Sequence, residues 1–165
     1  MKQYNINSNC PYNPDMDGIN HINMYSNAKT AFGRLLSDFY REKIDTADGQ
    51  FMSVEAYWYY LGLPNTTDRE KLRNTYGAFA KKLGRELRSK AGLTEPIFDP
   101  EFESKITAAI EQKLKRHKDL FDPKYRDLPI VHYYIYGNKL FDVTDDFPWL
   151  LSFIRQIVAK IYSES

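Results

Sequence analysis

Four stretches of this chain repeat apolar residues at helical spacing, and each begins and ends on residues suited to a helix terminus. The first opens at Ser53, a good N-cap, buries Val54, Tyr57, Trp58 and Leu61, and is stopped by Gly62 and Pro64. The second opens on Thr67-Asp68-Arg69-Glu70, a capping box, and carries Leu72, Tyr76, Phe79, Ala80, Leu83 and Leu87 on one stripe up to Gly92. Gly77 and Gly84 fall two turns apart inside it, each disfavoured by about 1 kcal/mol relative to Ala in a helix interior. Their presence predicts close approach of a backbone or ligand. Asp99-Pro100 starts the third helix, striped by Phe102, Ile106, Ala109, Ile110 and Leu114. Pro148 opens the last, with Leu151, Ile154, Ile157, Val158 and Ile161.

Between the helices, Asp122-Pro123 marks a break. Ile130 to Tyr136 is β-branched and aromatic, Gly137-Asn138 reads as a turn, and Lys139 to Val143 as a returning strand. Residues 1–23 are rich in Asn, Pro and Gly without a sustained period, so they read as a polar, loop-rich segment with one short strand near Ile22–Tyr25. No repeat and no dividing linker is visible. The pattern predicts a single α+β domain over residues 1–165, dominated by helix with a few short strands.

Composition changes this picture little. A chain of 165 residues, 42% hydrophobic and 27% charged, can bury a core of its own. Thirteen Tyr in an aromatic content of 15% suit either a Tyr-rich core or a pocket for a ring-bearing ligand. Cys10 is the one cysteine, which excludes an intrachain disulfide and a thiolate metal site, and His21, His117 and His132 lie in no metal-ligand spacing. No metal and no cofactor is expected. The N-terminus lacks the apolar core of a signal peptide and no apolar run reaches membrane-spanning length, so the expectation is a cytoplasmic monomer with no membrane partner. Net charge is +1, unevenly spread: residues 69–90 hold eight Lys/Arg against two Glu, and Lys-Leu-Lys-Arg-His-Lys at 113–118 adds four more. Lys81, Arg85 and Arg88 share one helix face, which suits either solvation or a nucleic-acid backbone.

Candidate chemistry gathers between Tyr25 and Leu61. Glu55 falls at the second residue of its helix, where unpaired N–H groups favour an ionised carboxylate. Such a group can stabilise an oxocarbenium-like transition state or activate water, or can serve only the helix dipole. Lys29 and Arg34 occupy a polar stretch without helical period. A partly desolvated Lys can attack an aldehyde, and Arg suits phosphate, but either can be a plain surface charge. Dinucleotide and phosphate-loop glycine signatures, a zinc helix and the Gly-x-Ser-x-Gly elbow are absent from the sequence.

Ser26-Asn27-Ala28-Lys29-Thr30, Gly33-Arg34-Leu35-Leu36-Ser37-Asp38-Phe39, Asp48-Gly49-x-Phe51-x-Ser53-Val54-Glu55-x-Tyr57-Trp58 and Leu83-Gly84-Arg85 together resemble the NADAR (NAD- and ADP-ribose-associated) family. The likeness is strongest over 25–61 and weaker over 77–88. It implies a NADAR-like α+β fold and N-glycosidase chemistry. The Ser-Asn-Ala-Lys-Thr opening and the Tyr-Trp after Glu55 look closest to the branch that removes ADP-ribose from guanine in DNA and reverses DarT-type toxins, an antitoxin or anti-defence role. Three positions depart from the family. Asp38 stands where Asn is usual, Phe98 aligns with a Trp, and Asp142 to Trp149 replaces a Gly-rich segment of the riboflavin-intermediate members.

On the resemblance, Glu55, Asp38 and Lys29 are the catalytic candidates. Glu55 would stabilise the sugar cation and Asp38 would be a second acid/base. Lys29 would be a Schiff-base nucleophile on the ring-opened ribose or a holder of sugar hydroxyls. Arg34 and Arg85 are implied for pyrophosphate, Tyr57 or Trp58 for packing a ring, and Ser26, Asn27, Gly33 and Gly84 for the remaining ligand contacts. ADP-ribosylated guanine in DNA is the implied substrate and ADP-ribose the product. An N-glycosidase for phosphorylated riboflavin intermediates and a non-catalytic ADP-ribose-binding module stay open as alternatives.

Overall fold

The computed structural model describes residues 1–97 and 99–164. Phe98, aligned above with the family's Trp, lies outside the described residues, as does Ser165. In chain order the first elements are β1 (Lys2–Asn5), β2 (Ile22–Asn23), α1 (Ala31–Leu36), β3 (Ile44–Thr46), β4 (Gly49–Phe51) and α2 (Val54–Leu61). They are followed by α3 (Gly77–Lys90), α4 (Phe102–Lys115), β5 (Ile130–Val131), β6 (Tyr133–Tyr136), β7 (Lys139–Asp142) and α5 (Pro148–Ser163). Helix outweighs strand and the class is mixed α+β, as the pattern predicts. The chain forms two compact units, residues 1–37 with 114–165, and residues 38–113. No composition shift announces that division.

In the first unit β7 pairs antiparallel with both β1 and β6, giving the order β1-β7-β6. The β6–β7 hairpin turns on Gly137 at φ +61°, a left-handed conformation that Gly adopts without penalty. β1 corrects the reading of residues 1–23 as loop with a single strand. It is a mostly exposed edge strand, so it lacks alternation, and it is held by register with β7 from Lys2↔Asp142 to Asn5↔Lys139. β2 runs parallel to β5, Ile22 opposite Ile130. α1 is a second correction, since the stretch holding Lys29 and Arg34 was expected to be irregular. Thr30 caps it, its Oγ1 accepting from Gly33 N–H at 2.8 Å, and Phe32, Leu35 and Leu36 are buried. Six residues are under two turns, too few to display a period. α5 begins with Pro148 in its first turn and buries Ile154, Ile157, Val158 and Ile161. Its Tyr162 ring meets Phe121 at 5.3 Å, and Phe121 meets Phe32 at 4.8 Å.

In the second unit α2 starts where Ser53 predicts. The Ser53 Oγ accepts from Ala56 N–H and donates to the Thr75 carbonyl, both at 3.0 Å. The capping box does not open a long helix. Thr67–Leu72 forms a 3-10 turn preceded by Thr66, with no side-chain cap, and α3 begins afresh at Gly77. Gly77 has φ +61°, so it is a helix start in left-handed conformation and not an interior residue. α4 begins at Phe102, two residues beyond the expected Pro100, after Asp99 Oδ1 accepts from Glu101 N–H at 2.7 Å. Among the described residues no helix is long and apolar enough to cross a membrane.

Gly84 is where α3 meets α2. A Cβ there would lie 2.2 Å from Tyr59 Cγ and 2.7 Å from Tyr59 Cβ, atoms that cannot swing aside as a side-chain tip can. The close neighbour of this glycine is therefore a tyrosine ring, in place of the backbone or ligand expected. Gly84→Ala should destabilise the protein by about 1–3 kcal/mol through overpacking, against a small intrinsic helix gain. Urea unfolding checks this, and an unchanged midpoint would mean that the helices separate freely.

Candidate active site

The N-terminus of α2 leaves backbone N–H groups without helical partners. One of them, Glu55 N–H, donates to the Asp38 carbonyl at 3.0 Å, which ties the segment after α1 to the first turn of α2. The two carboxylates are thereby brought to one place. Asp38 Oδ1 is shielded from solvent and has no hydrogen-bond partner, although the residue as a whole is only half-buried. Burial pushes the Asp38 carboxyl up to about 6, opposed by the Lys113 ammonium. Glu55 is pushed up to about 8, first by burial and then by the negative charge of Asp38, with Lys81 and Arg85 pulling the other way.

This overturns the expectation that the helix terminus keeps Glu55 ionised. A helix end favours a nearby anion by about 0.3–1 kcal/mol. Removing a carboxylate from water beside a second carboxylate works against ionisation by more than that. At neutral pH Glu55 is held as the acid, and Asp38 is the more readily ionised of the two.

Lys113 is the residue that sequence reading missed. Its side chain is 0% exposed, on the same α4 face as Ile106, Ala109 and Ile110. Burial pushes its ammonium down to about 8, against the attraction of Asp38 and Glu42. Its Nζ lies 5.9 Å from the Tyr40 ring centroid. In the sequence Lys113 reads as the first residue of the basic run 113–118. The signal against that was its spacing, one turn beyond Ile110 on the apolar stripe.

The other candidates in this unit divide. Arg85 is exposed on α3 and its charge reaches both Glu55 and Tyr59. Arg88, counted with Lys81 and Arg85 on one face, sits 5.0 Å over the Tyr59 ring with its Nε buried, so it packs and does not extend a solvated phosphate track. Tyr57 corrects its assignment to ligand packing. It is 1% exposed, its ring lies 4.6 Å from Phe51, and its hydroxyl donates to Asp48 at 2.7 Å. Asp48 is further held by Lys105 at 3.2 Å. Trp58 is half-buried, edge-on to Phe102 at 4.8 Å. Gly84 is accounted for by Tyr59.

The Ser26-to-Arg34 candidates lie in the first unit, folded around a buried carboxylate that sequence reading did not single out. Asp17 accepts from Asn23 N–H at 2.9 Å and from Lys29 N–H at 3.0 Å. Ser26 and Asn27 form the turn closed by Ala28 N–H to the Tyr25 carbonyl, 3.1 Å. Arg34 is exposed and braces that loop, donating to the Ala28 carbonyl at 2.8 Å. A Cβ on Gly33 would stand 2.4 Å from the Asn23 carbonyl oxygen, so this glycine answers to backbone packing. Lys29 extends its ammonium to Asp15 at 3.1 Å, with 52% of its side chain exposed. That is not the desolvated setting an amine nucleophile requires.

Among the described residues no three His, Cys, Asp or Glu side chains gather to hold a metal ion. Compared with models of known families, with curated proteins and with solved structures, the chain matches none.

Proposed function

We propose that this protein is a NADAR-type hydrolase of the cytoplasm that cleaves the N-glycosidic bond between ADP-ribose and a nucleobase, guanine in DNA by resemblance. The observation that carries the reading is the Asp38–Glu55 pair, two carboxyls in one place with their proton affinities pushed apart. Breaking this bond leaves positive charge on the anomeric carbon and negative charge on the departing nitrogen. Glu55, protonated at neutral pH, donates its proton to that nitrogen. Asp38, ionised, stabilises the sugar cation and takes a proton from the attacking water, whose oxygen bonds to the anomeric carbon. The products are ADP-ribose and the unmodified base; Asp38 releases its proton to solvent and Glu55 takes one back from it, which resets the pair. Lys81 and Arg85 supply positive charge beside Glu55, which suits the pyrophosphate of the leaving sugar.

The test is incubation with oligonucleotides ADP-ribosylated on guanine or on thymine, with products identified by mass. ADP-ribose released from guanine is the expected result. A ligand returned intact after long incubation with excess protein would leave a binding module in place of an enzyme. Borohydride added during turnover tests Lys29. A reduced adduct on Lys29 would make that amine, in place of water, the attacking group.

A further inference from the structure

Beyond the last turn of α2, the chain encloses a cavity of about 140 Å³ together with the 3-10 turn Thr67–Leu72 and the end of α3. Glu55 stands in the first turn of α2, so the carboxylate pair and this cavity lie toward opposite ends of that helix. The apolar wall is Leu63 and Leu87, both buried, with exposed Ala91. The charged wall is Asp68, Arg69 and Lys90. Asp68 is already engaged, one oxygen holding Lys71 at 3.2 Å and the other Lys90 at 2.8 Å. Arg69 differs. Its guanidinium carbon lies 4.1 Å from the Tyr60 ring centroid and its Nη2 donates to Asn65 Oδ1 at 2.9 Å, which fixes the group in place. Nη1 reaches the Leu63 carbonyl only at 3.4 Å, and Nε is sealed from solvent without a hydrogen-bond partner. Both acceptors are neutral, so among the described residues no carboxylate is in contact with this cation.

An immobilised guanidinium beside an apolar wall suits a carboxylate attached to an apolar body. The carboxylate takes the planar donors and the charge, and the hydrocarbon covers the leucines. An N–H shielded from water without an acceptor is unfavourable, and a ligand oxygen that reaches it removes that penalty. Size limits the body, since an apolar cavity of roughly 150 Å³ admits a benzene ring and little more. A nucleotide sugar far exceeds that. A cationic ligand is disfavoured as well, because the single carboxylate on the wall is held by two lysines. We propose that this cavity binds a small organic monocarboxylate with a single-ring or branched apolar body, its carboxylate on Arg69 and its body against Leu63 and Leu87. The inference goes beyond the glycohydrolase reading and does not depend on it.

The probe is benzoate, titrated into the full chain and followed by methyl NMR. Benzyl alcohol is its uncharged counterpart and inorganic phosphate an anion without an apolar body, all at matched ionic strength. Benzoate should shift the Leu63 and Leu87 methyl resonances saturably, with a dissociation constant on the order of 1 mM, ordinary for a ligand of this size. Benzyl alcohol and phosphate should each bind roughly tenfold more weakly. Arg69→Gln should weaken benzoate by a similar factor and leave benzyl alcohol unchanged. Because Arg69 also braces its own turn, Ala91→Phe is the second variant. It fills the cavity from an exposed position and should abolish benzoate binding with an unchanged circular dichroism spectrum. Methyl resonances that stay still up to tens of millimolar benzoate would overturn the proposal. So would benzyl alcohol or phosphate binding as well as benzoate, or benzoate binding that survives Ala91→Phe in a folded protein.

Discussion

Glu55→Gln should lower ADP-ribose release by about a thousandfold, the scale of general acid catalysis, while making the protein more stable at alkaline pH. The swap keeps shape and removes the proton, so the two effects have one cause. Glu55 has its pKa raised from 4.5 to about 8 in the folded protein. The folded state therefore retains a proton that the unfolded chain has released. That contribution to stability is fully present below pH 4.5 and is lost as pH rises through about 8. Gln is neutral throughout, so the variant should unfold like wild type in acid and gain on it across that window. With the residue half-buried, a gain of about 1–3 kcal/mol is expected, or several degrees in melting temperature. Wild-type turnover should follow a bell, rising as Asp38 ionises near 6 and falling as Glu55 ionises near 8. A folded Gln variant with wild-type turnover would remove Glu55 from the chemistry. Unchanged alkaline stability would mean that its carboxylate is solvated.

What was legible in the sequence follows from what each element depends on. α4, α5 and the β6–β7 hairpin declare themselves because period and punctuation are local: Asp99 and Pro148 at the starts, Gly137-Asn138 at the turn. α1 is shorter than two turns and β1 is an exposed edge, so neither writes a period, and β1 exists through a partner far along the chain. Gly77 was ambiguous in a different way. A glycine within an apolar stripe fits an interior close approach or a boundary, and only its positive φ decides. At the site, Ser53 fixed the place of Glu55 on its helix, but the protonation of Glu55 could not be read there. It depends on Asp38, seventeen positions earlier, folding back onto the α2 terminus. Asp38 itself was visible only as a departure from a resembled family, and Lys113 was concealed by the basic residues that follow it.

Lys113→Met should destabilise the protein by about 3 kcal/mol near neutral pH, the scale of leaving one partner of a buried ion pair uncompensated. Methionine fills similar volume, so the loss reports charge more than packing. Burial pushes the Lys113 ammonium down to about 8, and Asp38 and Glu42 are the carboxylates that draw it back up. With the cation gone, Asp38 loses the one attraction opposing its burial and should be protonated to a higher pH than about 6. The acid limb of the turnover profile should move up accordingly, by about one pH unit. A merely structural lysine would not move it. Asp38→Asn in the same chain supplies the control, because it removes the second charge. If the two side chains are coupled, the double variant should recover much of the lost stability while remaining inactive. Glu42 keeps its carboxylate in both backgrounds, so its loss of a partner cancels in the cycle. Additive losses from the two substitutions would mean that Asp38 and Lys113 do not act on one another, and the division of labour between Asp38 and Glu55 would then rest on burial alone.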